Sequence, residues 1–69
     1  MRRSRSSAMM VSYFRTHGLV RLFRGLNAYY ELPDGFKVEP SRVIHEMQKR
    51  FPMHWAKAKE YVSEFNGGD

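Results

Sequence analysis

Phosphate recognition is the chemistry for which this sequence is best supplied. Arg2, Arg3, Arg5, Arg15, Arg21 and Arg24 all fall within the first 28 residues, a segment with no Asp or Glu. Arginine offers a planar fork of N–H donors that fits phosphate or carboxylate oxygens, and it stays ionised at physiological pH. The rest of the chain carries Lys37, Arg42, Lys49, Arg50, Lys57 and Lys59 against Glu31, Asp34, Glu39, Glu46, Glu60, Glu64 and Asp69. The net charge of +5 is therefore a basic amino-terminal third joined to a nearly neutral remainder. Arg21 and Arg24 form the sharpest pair. On a helix, spacing i,i+3 places both on one face, opposite Leu22 and Leu26. Such a face can follow a phosphate backbone, with Arg2, Arg3 and Arg5 on a flexible arm reaching an adjacent groove. Asn27 adds a contact to a base edge. The plainer alternative is that these arginines only solvate the polar side of an amphipathic helix.

Other chemistries are poorly supplied. The absence of cysteine excludes disulfides, thiol catalysis, Cys-ligated zinc and iron–sulfur clusters. His17, His45 and His54 show no i,i+3 or i,i+4 pairing and no H-E-x-x-H pattern, so they read as a helix-end residue, a solvated residue and the edge of an apolar stripe. The serines lack a nucleophile elbow, the acids are dispersed, and no glycine-rich phosphate loop occurs. A non-enzymatic protein without metal or cofactor is expected.

The chain has ten aromatic residues, five Phe, four Tyr and one Trp, more than so small a core encloses comfortably. Tyr13, Tyr29, Trp55 and Tyr61 cannot all be buried with their polar atoms satisfied. Tyr and Trp are enriched at protein interfaces, and these four are the candidates for one. The second functional reading is accordingly a protein-interaction module: a small adaptor, subunit or inhibitor of a larger protein, of a kind that viruses and plasmids encode. The small core also favours a homo-oligomer.

The elements follow from periodicity and punctuation. Residues 1–7 lack apolar periodicity and read as a disordered basic arm. Residues 8–66 read as one small helical domain, and 67–69 as a flexible tail. Met10, Tyr13 and Phe14 face inward from a helix over 8–16, with Gly18 as its left-handed cap. Leu19, Leu22, Phe23, Leu26 and Tyr30 recur at helical spacing and predict a second helix over 19–31, with a single kinked helix as the alternative. Gly25 then sits inside a helix, either tolerated or allowing a close approach. Pro33-Asp34-Gly35 is a turn, followed by a short extended piece over 36–38 that can make a minimal hairpin with residues 30–32. Pro40 opens a third helix bearing Val43, Ile44, Met47 and Phe51, with Glu46 and Arg50 paired at i,i+4. Pro52 ends that helix and starts a fourth, with Trp55, Ala58, Tyr61, Val62 and Phe65 as its stripe.

The expected class is all-α: three to four short helices, with the Pro-Asp-Gly turn and extended segment between two helical halves. A helix-turn-helix fails on spacing, and a ribbon–helix–helix needs a shorter turn and no Gly18 in its first helix. No apolar run is long enough to span a bilayer, and the expected location is cytoplasmic. The Arg- and Ser-rich, acid-free start also reads as an organellar transit peptide, and the basic stretch 8–31 as a membrane-surface helix. The leading function is a small basic regulatory protein that binds nucleic acid through Arg2, Arg3, Arg5, Arg21, Arg24 and Asn27.

Overall fold

The computed structural model describes residues 5–65. Their order is α1 (Arg5–Thr16), β1 (Arg21–Phe23), β2 (Tyr29–Glu31), β3 (Lys37–Val38), a 3-10 turn (Pro40–Arg42), α2 (Val43–Arg50) and α3 (Pro52–Phe65). The fold is mixed α/β, three helices plus a three-stranded antiparallel sheet, and not all-α. The correction lies in residues 19–31, where two strands and their loop stand in place of the expected second helix.

Local chemistry explains both outcomes. In α1, Met10 and Phe14 at i,i+4 are buried, and half-buried Tyr13 packs beside them. Arg5, Ser6 and Ser7, expected in a basic arm over 1–7, are helical, and residues 1–4 of that arm lie outside the described residues. Gly18, at φ 69°, terminates α1. Leu19 N–H donates to the Phe14 carbonyl at 2.8 Å and Gly18 N–H to the Arg15 carbonyl at 3.1 Å, satisfying two carbonyls that the helix leaves open. The expected cap is present.

Beyond it the chain alternates. Leu22, Tyr30 and Val38 are cross-strand partners on the inner face, and Arg21, Phe23, Tyr29, Glu31 and Lys37 take the outer one. Val20, Phe23, Tyr29 and Tyr30 are strand-favouring types. Residues 24–28 form the β1–β2 loop, and Leu26, centre of the expected helical stripe, is fully exposed there. An added Cβ at Gly25 would meet nothing within 4 Å, so Gly25 permits no close approach and serves the loop.

The minimal hairpin that residues 30–38 allowed is formed, and β1 joins it as a third strand. Gly35 N–H donates to the Leu32 carbonyl at 2.9 Å, and Leu32 N–H to the Phe36 carbonyl at 2.8 Å. Asp34 Oδ1 accepts from Phe36 N–H at 3.1 Å, and Gly35 takes φ 89°. Pro40 leads the 3-10 turn into α2, where Val43 and Met47 are buried, and Pro52 opens α3, where Ala58 and Val62 are. Met10, Phe14, Val20, Tyr30, Leu32, Val38, Val43, Met47, Ala58 and Val62 make one core between the helices and the sheet's inner face. No helix among the described residues is long and apolar enough to cross a membrane.

Candidate nucleic-acid interface

The alternation that sends Leu22 and Tyr30 inward assembles a different set of side chains outside. Phe23 and Tyr29 are directly paired across β1 and β2, and their rings stack with centroids 5.1 Å apart and planes 7° apart. The Arg21 guanidinium lies 5.2 Å from the centre of the Phe23 ring, and the Lys37 ammonium 5.7 Å from that of Tyr29. The result is a row of cation, ring, ring and cation across three strands. Neither ring belongs to the core or to the half-buried residues packed against it. Both rings are half-buried.

Glu31 is the single acid on this face. It pairs across the strands with both Arg21 and Lys37, and its carboxylate is 4.0 Å from the Arg21 guanidinium. The Arg21 side chain is 72% exposed, so this ion pair contributes little stability and yields readily to a competing anion. The loop springs directly from the ring pair. It carries exposed Arg24, which has no ion-pair partner among the described residues, with exposed Leu26 and Asn27. Cations offer phosphate contacts here, the rings offer π-faces, and Asn27 offers an amide.

A clamp outside the face holds the other end of the sheet. Arg50, at the end of α2, donates from Nε to Glu46 at 3.0 Å, approaches Asp34 at 3.5 Å and covers the Phe36 ring at 3.6 Å. It thereby ties the β2–β3 turn to α2. The hydrogen bond from Arg50, aided by the charges of Arg50, Lys49 and His45 and opposed by desolvation, holds the Glu46 carboxyl below its ordinary value. The expected i,i+4 pair of Glu46 and Arg50 is thus present, with a tertiary role that helix spacing alone does not reveal.

The predicted site residues are dispersed differently from the sequence reading. Arg2 and Arg3 lie outside the described residues. Arg5 is exposed on α1, Arg21 is on β1, and Arg24 and Asn27 are in the loop. Arg21 and Arg24 therefore share a hairpin and not a helix face. Of the four proposed interface aromatics, Tyr13 and Tyr61 meet between α1 and α3 at 5.4 Å, Tyr29 is on the sheet, and Trp55 lies half-buried under Lys59. The candidate residues read from sequence did not include Phe23, Glu31 or Lys37, and Phe23 was expected on an apolar helix face. The signal for them is the alternation in Arg21-Leu22-Phe23 and Tyr29-Tyr30-Glu31. Among the described residues no group of His, Asp and Glu could hold a metal ion.

Compared with protein families, curated proteins and solved structures, the chain matches none significantly.

Proposed function

We propose that this is a small non-enzymatic nucleic-acid-binding protein of regulatory type, engaging the phosphate backbone through Arg21, Arg24 and Lys37 on the sheet's outer face and loop. The observation that carries the reading is the row of cation, ring, ring and cation, built on side chains the core does not use. The ring pair also helps hold β1 to β2, as cross-strand aromatic pairs do, but it is the cations flanking it that make the face suited to a polyanion. The acid-free amino terminus, with Arg2, Arg3 and Arg5, adds to the attraction for a polyanion.

Fluorescence anisotropy against labelled oligonucleotides over a salt series tests this. Replacing Arg21, Arg24 and Lys37 together by Ala should weaken binding and reduce the slope of log affinity against log salt by roughly 2 to 3, since each lost phosphate contact removes about 0.7–0.9. An unchanged slope contradicts the assignment.

A second reading, a protein-interaction module or self-associating chain, draws support from the aromatic cluster on α1 and α3. Tyr13, Tyr61 and Phe65 follow one another at 5.4 and 6.4 Å, and Phe65 is 66% exposed. It predicts that Tyr61→Ala and Phe65→Ala change the sedimentation behaviour or a partner's capture while leaving oligonucleotide binding intact.

A further inference from the structure

Resting on the nucleic-acid reading above, we infer that the ligand of the sheet face is single-stranded, with unpaired bases stacking on Phe23 and Tyr29 while Arg21 and Lys37 shift from the rings to its phosphates. In a duplex the π-faces of the bases are occupied by their neighbours, and the grooves present only base edges and phosphates. Phe23 has no donor or acceptor with which to read an edge, and Tyr29 has one hydroxyl. A duplex would therefore engage the cations and leave the ring pair unused. A single strand has free base faces, and stacking on protein aromatics is its general mode of capture.

The arrangement of charge fits the same occupant. Arg21 and Lys37 each lie over one ring of the pair, and Arg21 also makes a long, exposed ion pair with the cross-strand carboxylate of Glu31. Those contacts are weak at an exposed site and are surrendered easily to a phosphate. When the cations leave, the outer faces of both rings open to bases. Glu31 then opposes binding, because it competes with phosphate for Arg21 and repels the backbone. The loop lengthens the platform from the ring pair outward: Leu26 supplies a fully exposed apolar contact between Arg24 and Asn27.

The test uses the full chain and three probes of one sequence: single-stranded DNA, single-stranded RNA and duplex DNA, at one moderate salt concentration. Both single strands should bind at least about tenfold more tightly than the duplex, and a difference between them reports a contact to the 2′-hydroxyl. Phe23→Ala with Tyr29→Ala should lower single-strand affinity about tenfold or more, with the thermal transition retained. Phe23→Leu with Tyr29→Leu, which keeps apolar bulk and removes the π-faces, should show the same loss if the alanine form is poorly folded. Glu31→Gln should raise affinity about twofold or more, a gain that a purely structural residue would not produce. Duplex binding as tight as single-strand binding, insensitive to both ring variants yet lost with Arg21, Arg24 and Lys37, overturns this inference and leaves the nucleic-acid reading standing. Absence of binding to all three probes overturns both.

Discussion

Two aromatic surfaces on this protein look alike in composition and differ in what surrounds their rings. On the helical side, Tyr13 stacks on His17 at 4.0 Å and meets Tyr61, and Tyr61 meets Phe65. Tyr13 also packs against the core, so part of that cluster joins α1 to α3. On the sheet, Phe23 and Tyr29 touch each other and two cations, and they make no contribution to the core. Aromatic area is thus placed in two different settings in one small domain. Where rings continue into the interior they stabilise the fold, and the pair turned outward between cations is the one we propose for a ligand.

The variant that should break the comparison most completely is Phe14→Ala. Phe14 is wholly buried in the core, and removing it costs about 3–5 kcal/mol, close to the entire stability of a domain this size. Chemical denaturation should show a chain largely unfolded in water, with both surfaces lost together.

Arg50→Ala should separate them. It removes the hydrogen bond to Glu46, the ion pair to Asp34 and the contact over Phe36, at a cost of about 1–2 kcal/mol for a partly exposed cation. Loss of the tie between the β2–β3 turn and α2 should lower the melting temperature by roughly 5–15 °C. Amide exchange should quicken in β2 and β3 before it does in α1 and α3.

A smaller effect sharpens the contrast between the rings. Tyr13→Ala should destabilise by about 1–2 kcal/mol because its ring packs on the core. Tyr29→Ala should cost less, about 0.2–1 kcal/mol, for the lost cross-strand pair with Phe23. Parallel thermal melts read both, and equal losses would contradict the division of labour.

The smallest effect is a dependence on acid. Because the Glu46 carboxyl is held below its ordinary value of 4.5 in the folded protein, the unfolded chain takes up a proton there first as the pH drops. The contribution of Glu46 is complete above about pH 4.5 and disappears as the pH falls through its folded value. Glu46→Gln should flatten the acid limb of a stability–pH curve and leave its neutral region nearly level.

How much of this was legible in the residues depends on where local signals agree. Gly18, Pro33-Asp34-Gly35, Pro40 and Pro52 each carry a backbone constraint that needs no partner, and all four mark the boundaries they predict. The i,i+4 pairs Met10–Phe14, Val43–Met47 and Ala58–Val62 likewise identify the buried stripes of the three helices. Residues 19–31 carry two patterns at once. Leu19, Leu22, Leu26 and Tyr30 fit a helix, while Val20, Leu22, Tyr30 and Leu32 fit strands meeting at a loop. A three-residue strand is too short to show its period of two convincingly, and only pairing across the sheet decides the matter. The candidate site was lost with that segment: Arg21, Arg24 and Tyr29 were visible as types, but the neighbours that give them meaning, Phe23, Glu31 and Lys37, come together only through strand register.

The most direct test of the central claim is an NMR titration of the isotope-labelled full chain with a short single-stranded oligonucleotide, following backbone amides and aromatic side chains. Shifts should be confined to Arg21, Phe23, Tyr29, Glu31, Lys37 and the loop bearing Arg24, Leu26 and Asn27, with Tyr61 and Phe65 unmoved. Shifts centred on Tyr61 and Phe65, with the sheet's outer face silent, would contradict it.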